Sequence, residues 1–163
     1  MDYNELISCF QDTIKMSEDE LQDATLEAID NTCVLKENIY EEVFENSNVK
    51  IEERPEDADV FVEVNTTFAT AKEYLQDGKV AVLNFANPIC PGGGVQNGAI
   101  AQEECLCRSS NLYCCLREEK VFEDYYLYHR KMDHYLSTDR LIYSKDITVF
   151  KNDNRIPALM PAR

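Results

Sequence analysis

Apolar positions along the chain follow two different periods. Leu21, Ala24, Ala28 and Ile29 recur three and four residues apart, and Ser17 with Glu20 has the spacing of a capping box. An amphipathic helix is therefore expected from near Ser17 to near Asn31. VKIEE (49–53) has a faint strand pattern, and DVFVEV (59–64) a stronger one built from β-branched and aromatic residues. Thr66 or Thr67 can cap a following helix with Phe68, Ala71 and Leu75 on one face and Gly78 as its terminator. KVAVLNFA (79–86) is almost wholly apolar, as a strand covered on both faces would be. Strand, helix and buried strand in succession predict a right-handed βαβ unit and place the chain in the α/β class.

A loop rich in Pro and Gly runs from Asn87 to Gly98, and a helix is expected from about Ala101 to Leu116. A second helix should cover Val121 to Tyr135. LIY (141–143) and ITVF (147–150) read as short strands around a turn at 144–146, and the tail from Lys151, with two prolines and no period, reads as loop. In open α/β sheets ligands gather at the carboxyl ends of strands, which is where the loop at 87–98 falls.

The 163 residues, 44% apolar and 10% aromatic, suit one domain with one core and give no sign of a linker or repeat. Net charge is -15, from 31 acidic against 16 basic residues, a field that repels nucleic acids and anionic membranes. Direct nucleic-acid or membrane binding is therefore not expected, and a phosphate-bearing ligand would have to be held by local donors. The N-terminal stretch carries acids where an export signal needs a basic segment and then an apolar one, which points to the cytoplasm. Seven cysteines then read as reduced thiols. Cys105, Cys107, Cys114 and Cys115 are spaced C-x-C-x6-C-C without paired knuckles or a nearby histidine, so no metal site and no cofactor are expected.

Candidate chemistry lies in NFANPICPGGGVQNGAIAQEE (84–104). Gly92, Gly93 and Gly94 can take backbone angles closed to other residues and let a ligand approach the main chain. A tight turn is the ordinary reading of such a run, but its place after a buried strand favours a ligand loop. Neither a Walker loop nor the dinucleotide fingerprint is matched. Gln102, Glu103 and Glu104 fall on the first turn of the next helix, where the dipole favours carboxylates. Adjacent helical residues project about 100° apart, so one carboxyl can hold a sugar hydroxyl while the other faces a scissile bond. Arg108, four residues beyond Glu104, is placed to pair with it. His129 and His134, and the tyrosines at 125, 126, 128 and 135, read as core or surface residues.

GGG-x7-QEE resembles the signature of the poly(ADP-ribose) glycohydrolases, and VAVLNFANPICPGGGVQNGAIAQEECLCRSSNLY with LIYSKDITVF is similar to their microbial-type branch. The resemblance covers Lys79 to Phe150 well and the N-terminal part loosely. It implies a macrodomain-like mixed sheet flanked by helices, with a helical part at about 1–45 and a catalytic core at about 49–150. It implies hydrolysis of the ribose-ribose bond of poly(ADP-ribose), with ADP-ribose or its polymer on modified proteins as the partner. By match to the motif, Glu104 is the general acid/base and Glu103 binds ribose hydroxyls. Asn87 contacts the distal ribose, Gly92, Gly93, Gly94 and Val95 form the diphosphate loop, and Gln102 supports the catalytic turn. Relatives of that branch continue beyond the point where this sequence stops, so the expectation is a domain lacking its C-terminal portion, with an exposed edge open to self-association. The rival reading is a non-catalytic ADP-ribose-binding module, or a remnant acting in protein association.

Overall fold

The computed structural model describes residues 3–37, 59–132, 138–154 and 157–160. Helix α1 (Tyr3–Glu18) buries Leu6, Phe10, Thr13 and Ser17, a stripe with spacings of four, three and four residues. Half of that stripe is hydroxyl-bearing, which hid it from an apolar count. Thr13 and Ser17 are compatible with burial because each hydroxyl donates one turn back, to Cys9 O at 2.9 Å and to Thr13 O at 2.9 Å. Ser17 therefore closes α1 instead of capping the next helix. After a short turn, α2 (Gln22–Asp30) buries Thr25 and Ala28 and ends at Asn31, as its pattern predicted.

Strand β1 (Thr32–Leu35) pairs antiparallel with β2 (Leu141–Ser144), Thr32 opposite Ser144 and Leu35 opposite Leu141. Helix α3 (Thr67–Tyr74) follows Thr66, and its N-terminus is tied down by a distant residue. Asp153 accepts from the Thr66 hydroxyl at 2.5 Å and from Phe68 N–H at 2.6 Å. The predicted strands at 59–64 and 79–86 are not formed among the described residues. Val60, Val62 and Val64 are 84%, 94% and 109% exposed, and Leu83 and Phe85 are exposed as well. A strand buried on both faces is made by its neighbours, and no ladder partner flanks either segment among the described residues. The expected βαβ unit is therefore represented by its helix alone. Residues 49–53, the other strand candidate, lie outside the described residues.

The helix expected from Ala101 to Leu116 is two helices, α4 (Gln102–Ser109) and α5 (Leu112–Leu116). Between them Ser110 is extended, at φ -148 and ψ 174, and bridges Val149. Asn111 clasps Thr148 through Asn111 N to Thr148 O at 3.2 Å and Thr148 N to Asn111 Oδ1 at 2.9 Å. The apolar run at 147–150 is spent on this break and forms no strand of its own. Next come α6 (Glu119–Val121), a π-helical stretch (Phe122–Leu127) and α7 (Tyr128–Arg130), continuous with one another. This covers much of the second expected helix, while His134 and Tyr135 lie outside the described residues.

The core gathers Phe10, Val95, Leu106, Cys107, Leu112, Tyr113 and Leu116, so one residue of the Gly-rich loop is itself a core residue. Buried Lys151 joins the tail to α1, donating to Asp12 Oδ2 at 2.7 Å and Thr13 Oγ1 at 2.9 Å. No helix among the described residues is long and apolar enough to cross a membrane.

Candidate functional site

Gly92 and Gly93 sit at φ 65 and 57, the left-handed region that disfavours side chains. Space adds a second demand. A Cβ on Gly92 would stand 2.7 Å from Tyr113 Cδ2, and one on Gly93 would collide with Glu104 Oε1. Beyond them Val95–Asn97 forms a 3-10 turn that sinks Val95 fully into the core. The loop is closed by its own bonds: Gly93 N–H donates to Cys90 O at 3.0 Å, and Val95 N–H to Gly92 O at 3.1 Å.

The Gln-Glu-Glu run at the start of α4 fastens the preceding segment at three places. Gln102 Oε1 accepts from Phe85 N–H at 2.9 Å while its Nε2 donates to Leu83 O at 2.8 Å. Glu103 Oε2 accepts from Asn87 N–H at 2.8 Å. Glu104 Oε1 accepts from Gly94 N–H at 2.8 Å. Each consecutive side chain thus fixes a different stretch of main chain, which explains why the three residues adjoin one another and lie near the glycines.

Glu103 and Glu104 are 3% and 7% exposed. Each has one oxygen tied to a main-chain N–H, while Glu103 Oε1 and Glu104 Oε2 are buried without a partner among the described residues. Burial pushes the Glu103 carboxyl above its ordinary value; the nearby Asn87 N–H and Asn84 amide oppose the shift, and the Glu104 charge adds to it. Asn84 Oδ1 is a third buried acceptor in the same place without a partner among the described residues. Three such acceptors fit a ligand rich in hydroxyl donors, and a protonated carboxyl among them could give up its proton.

Sequence reasoning passed over Asn84, although a signal existed, since it is the one polar side chain in the apolar run 80–86. Asn87 is in the site, but its Oδ1 is committed to a turn, accepting from Ile89 and Cys90 N–H at 2.9 Å each. Its carboxamide NH2 is what remains to offer a ligand. Arg108 does not pair with Glu104; fully buried, it turns to the end of the loop and donates to Ala99 O at 2.5 Å. The four clustered cysteines are free thiols, and burial raises Cys107, Cys114 and Cys115, the last to about 11. His129 is held inside its own helix, with Nδ1 against Tyr125 O at 2.7 Å.

This fold matches that of bacterial poly(ADP-ribose) glycohydrolases of known structure. The Thermomonospora curvata enzyme superposes with a TM-score of 0.78 at 27% identity over 95% of this chain and 60% of its own. The same enzyme bound to the inhibitor ADP-HPD gives 0.75 at 28% identity, over 92% of this chain and 56% of its own. The Deinococcus radiodurans enzyme in complex with ADP-ribose gives 0.67 at 34% identity, over 85% and 52%. This chain thus spans little more than half the length of the solved proteins it matches. A comparison with curated proteins gives no match. The family profile for the microbial-type PARG catalytic domain matches residues 10–152, and the chain belongs to that family.

Proposed function

We propose that the chain hydrolyses the ribose-ribose bond of poly(ADP-ribose), with Glu104 as general acid and base and Glu103 holding ribose hydroxyls. The observation that carries this reading is the pair of buried carboxylates, each oriented by a main-chain N–H and each with its second oxygen unpartnered among the described residues. Relatives of known structure bind ADP-ribose or ADP-HPD, which supplies the ligand class. In the mechanism, Glu104 Oε2 carries the proton, delivers it to the departing ribose oxygen as an oxocarbenium-like sugar develops, and then takes a proton from the attacking water. Glu103 and Asn87 orient the ribose. Gly92, Gly93, Gly94 and Val95 offer a stretch of main chain without projecting side chains, against which the diphosphate lies. Its negative charge favours the developing cation. Gln102 acts at one remove, by keeping 83–85 in place behind Asn87.

Glu104→Gln tests the assignment, because the amide still accepts from Gly94 N–H but cannot donate and regain a proton. Release of ADP-ribose from polymer, followed chromatographically, should fall by about a hundredfold to ten-thousandfold while the melting temperature stays put. Turnover equal to the unaltered chain would end the acid/base role.

A further inference from the structure

Glu104 can work only if Gly94 N–H stands where it is, and besides the loop's own main-chain bonds, Asn97 N–H and Ala99 N–H to Gly94 O among them, one residue outside the signature touches the loop on both sides of that peptide. Tyr113, in the first turn of α5, is 7% exposed and belongs to the same core cluster as Val95. Its ring closes the space beside Gly92, where a Cβ would stand 2.7 Å from Cδ2 and 3.0 Å from Cε2. Its hydroxyl accepts a hydrogen bond from Gln96 Nε2. The ring therefore touches the loop just before Gly93, and the hydroxyl touches it just after Val95. Between these contacts lies Gly94. The ring itself is held edge-on by Phe10 of α1, with centroids 4.9 Å apart at 89°, and the Arg117 guanidinium lies 5.8 Å from its centre.

A core in this place needs an aromatic ring, and phenylalanine would supply it without the cost of burying a hydroxyl. The hydroxyl's bond goes to a loop side chain that is otherwise exposed, so what it gains is loop register. Catalytic geometry tolerates errors of about half an ångström, within what a loop freed at one end would exceed. We propose that Tyr113 is a positioning residue: through Gly92 and Gln96 it sets the Gly94 peptide that orients Glu104. The proposal rests on the reading of Glu104 as the acid/base.

The test compares Tyr113→Phe, which keeps the ring, with Gln96→Leu and with the double variant. Amide hydrogen exchange at Gly94 reports the positioning without reference to activity. It should accelerate about tenfold in each single variant, the loss of one hydrogen bond's worth of protection, with the melting temperature nearly unchanged. Turnover of poly(ADP-ribose) should fall about as much in kcat with KM held, since ground-state contacts remain. The double variant should be no worse than either single one, because both remove the same bond. Gly94 exchange that ignores Tyr113→Phe, or single effects that add, would overturn the proposal. If Gly94 exchange responds while the unaltered chain does not cleave polymer, Tyr113 still positions the loop and the reading of Glu104 is what fails.

Discussion

Glu103 holds its charge at a cost. Its carboxyl lies above the ordinary 4.5 chiefly because it is buried. The folded state therefore binds that proton more tightly than the unfolded chain does. The resulting contribution to stability is complete below pH 4.5 and is lost as pH rises through the raised value. Glu103→Gln, which can still accept from Asn87 N–H, should accordingly melt at a higher temperature than the unaltered chain at pH 7. The gap should close on acidification below the ordinary carboxylate range. Melting curves at pH 7 and pH 4 decide this, and a variant no more stable at pH 7 would deny that burial strains the carboxylate. At this scale the sequence was informative where the chemistry is contiguous. The three glycines and Gln102, Glu103 and Glu104 lie together in the candidate site because they are near neighbours in sequence. Asn84 and Tyr113 escaped because their parts depend on which way a side chain points after folding. Arg108 misled for the same reason: a helical spacing of four permits an ion pair with Glu104, and the loop carbonyl at Ala99 took the guanidinium instead.

Helix α3 shows how an element can depend on a residue far along the chain. Thr66 stands at its N-cap without a side-chain bond into its own helix, and the capping acceptor is Asp153. Removing such a cap costs about 1–2 kcal/mol, so Asp153→Ala should lower the unfolding free energy by that much, read as a lower urea midpoint at an unchanged m-value, and loosen α3 first. Asp153→Asn should recover part of the loss, and an unchanged midpoint in Asp153→Ala would show that the cap is idle. From sequence, α2, α3 and β2 were legible because each carries its own period or turn. The pairing of β2 with β1 was not, since partner choice is a long-range property. The single helix at 101–116 failed at Ser110, where a bridge to Val149 outweighed helix continuity. The strands at 59–64 and 79–86 failed differently: their composition states what would suit a sheet interior, and no neighbouring strands supply one among the described residues.

Those two segments set the behaviour of the whole molecule against its charge. Val60, Phe61, Val62, Val64, Leu83 and Phe85 are exposed, an apolar set larger than scattered surface residues would make, and such sets favour association. A net charge of -15 opposes it, because two copies repel over the range that salt leaves unscreened. The balance should therefore turn on ionic strength. Between 0.1 and 1 M salt the screening length shrinks from about 10 Å to about 3 Å, removing the repulsion while leaving apolar burial intact. Light scattering on a sizing column should then show self-association that grows with salt, the opposite of what ion-pair contacts would give. Val62→Lys combined with Leu83→Lys should suppress it at every salt concentration, since both charges fall on the exposed apolar set. A monomeric mass at both salt concentrations would mean that the segments shield one another in solution and that the exposed apolar face attracts nothing.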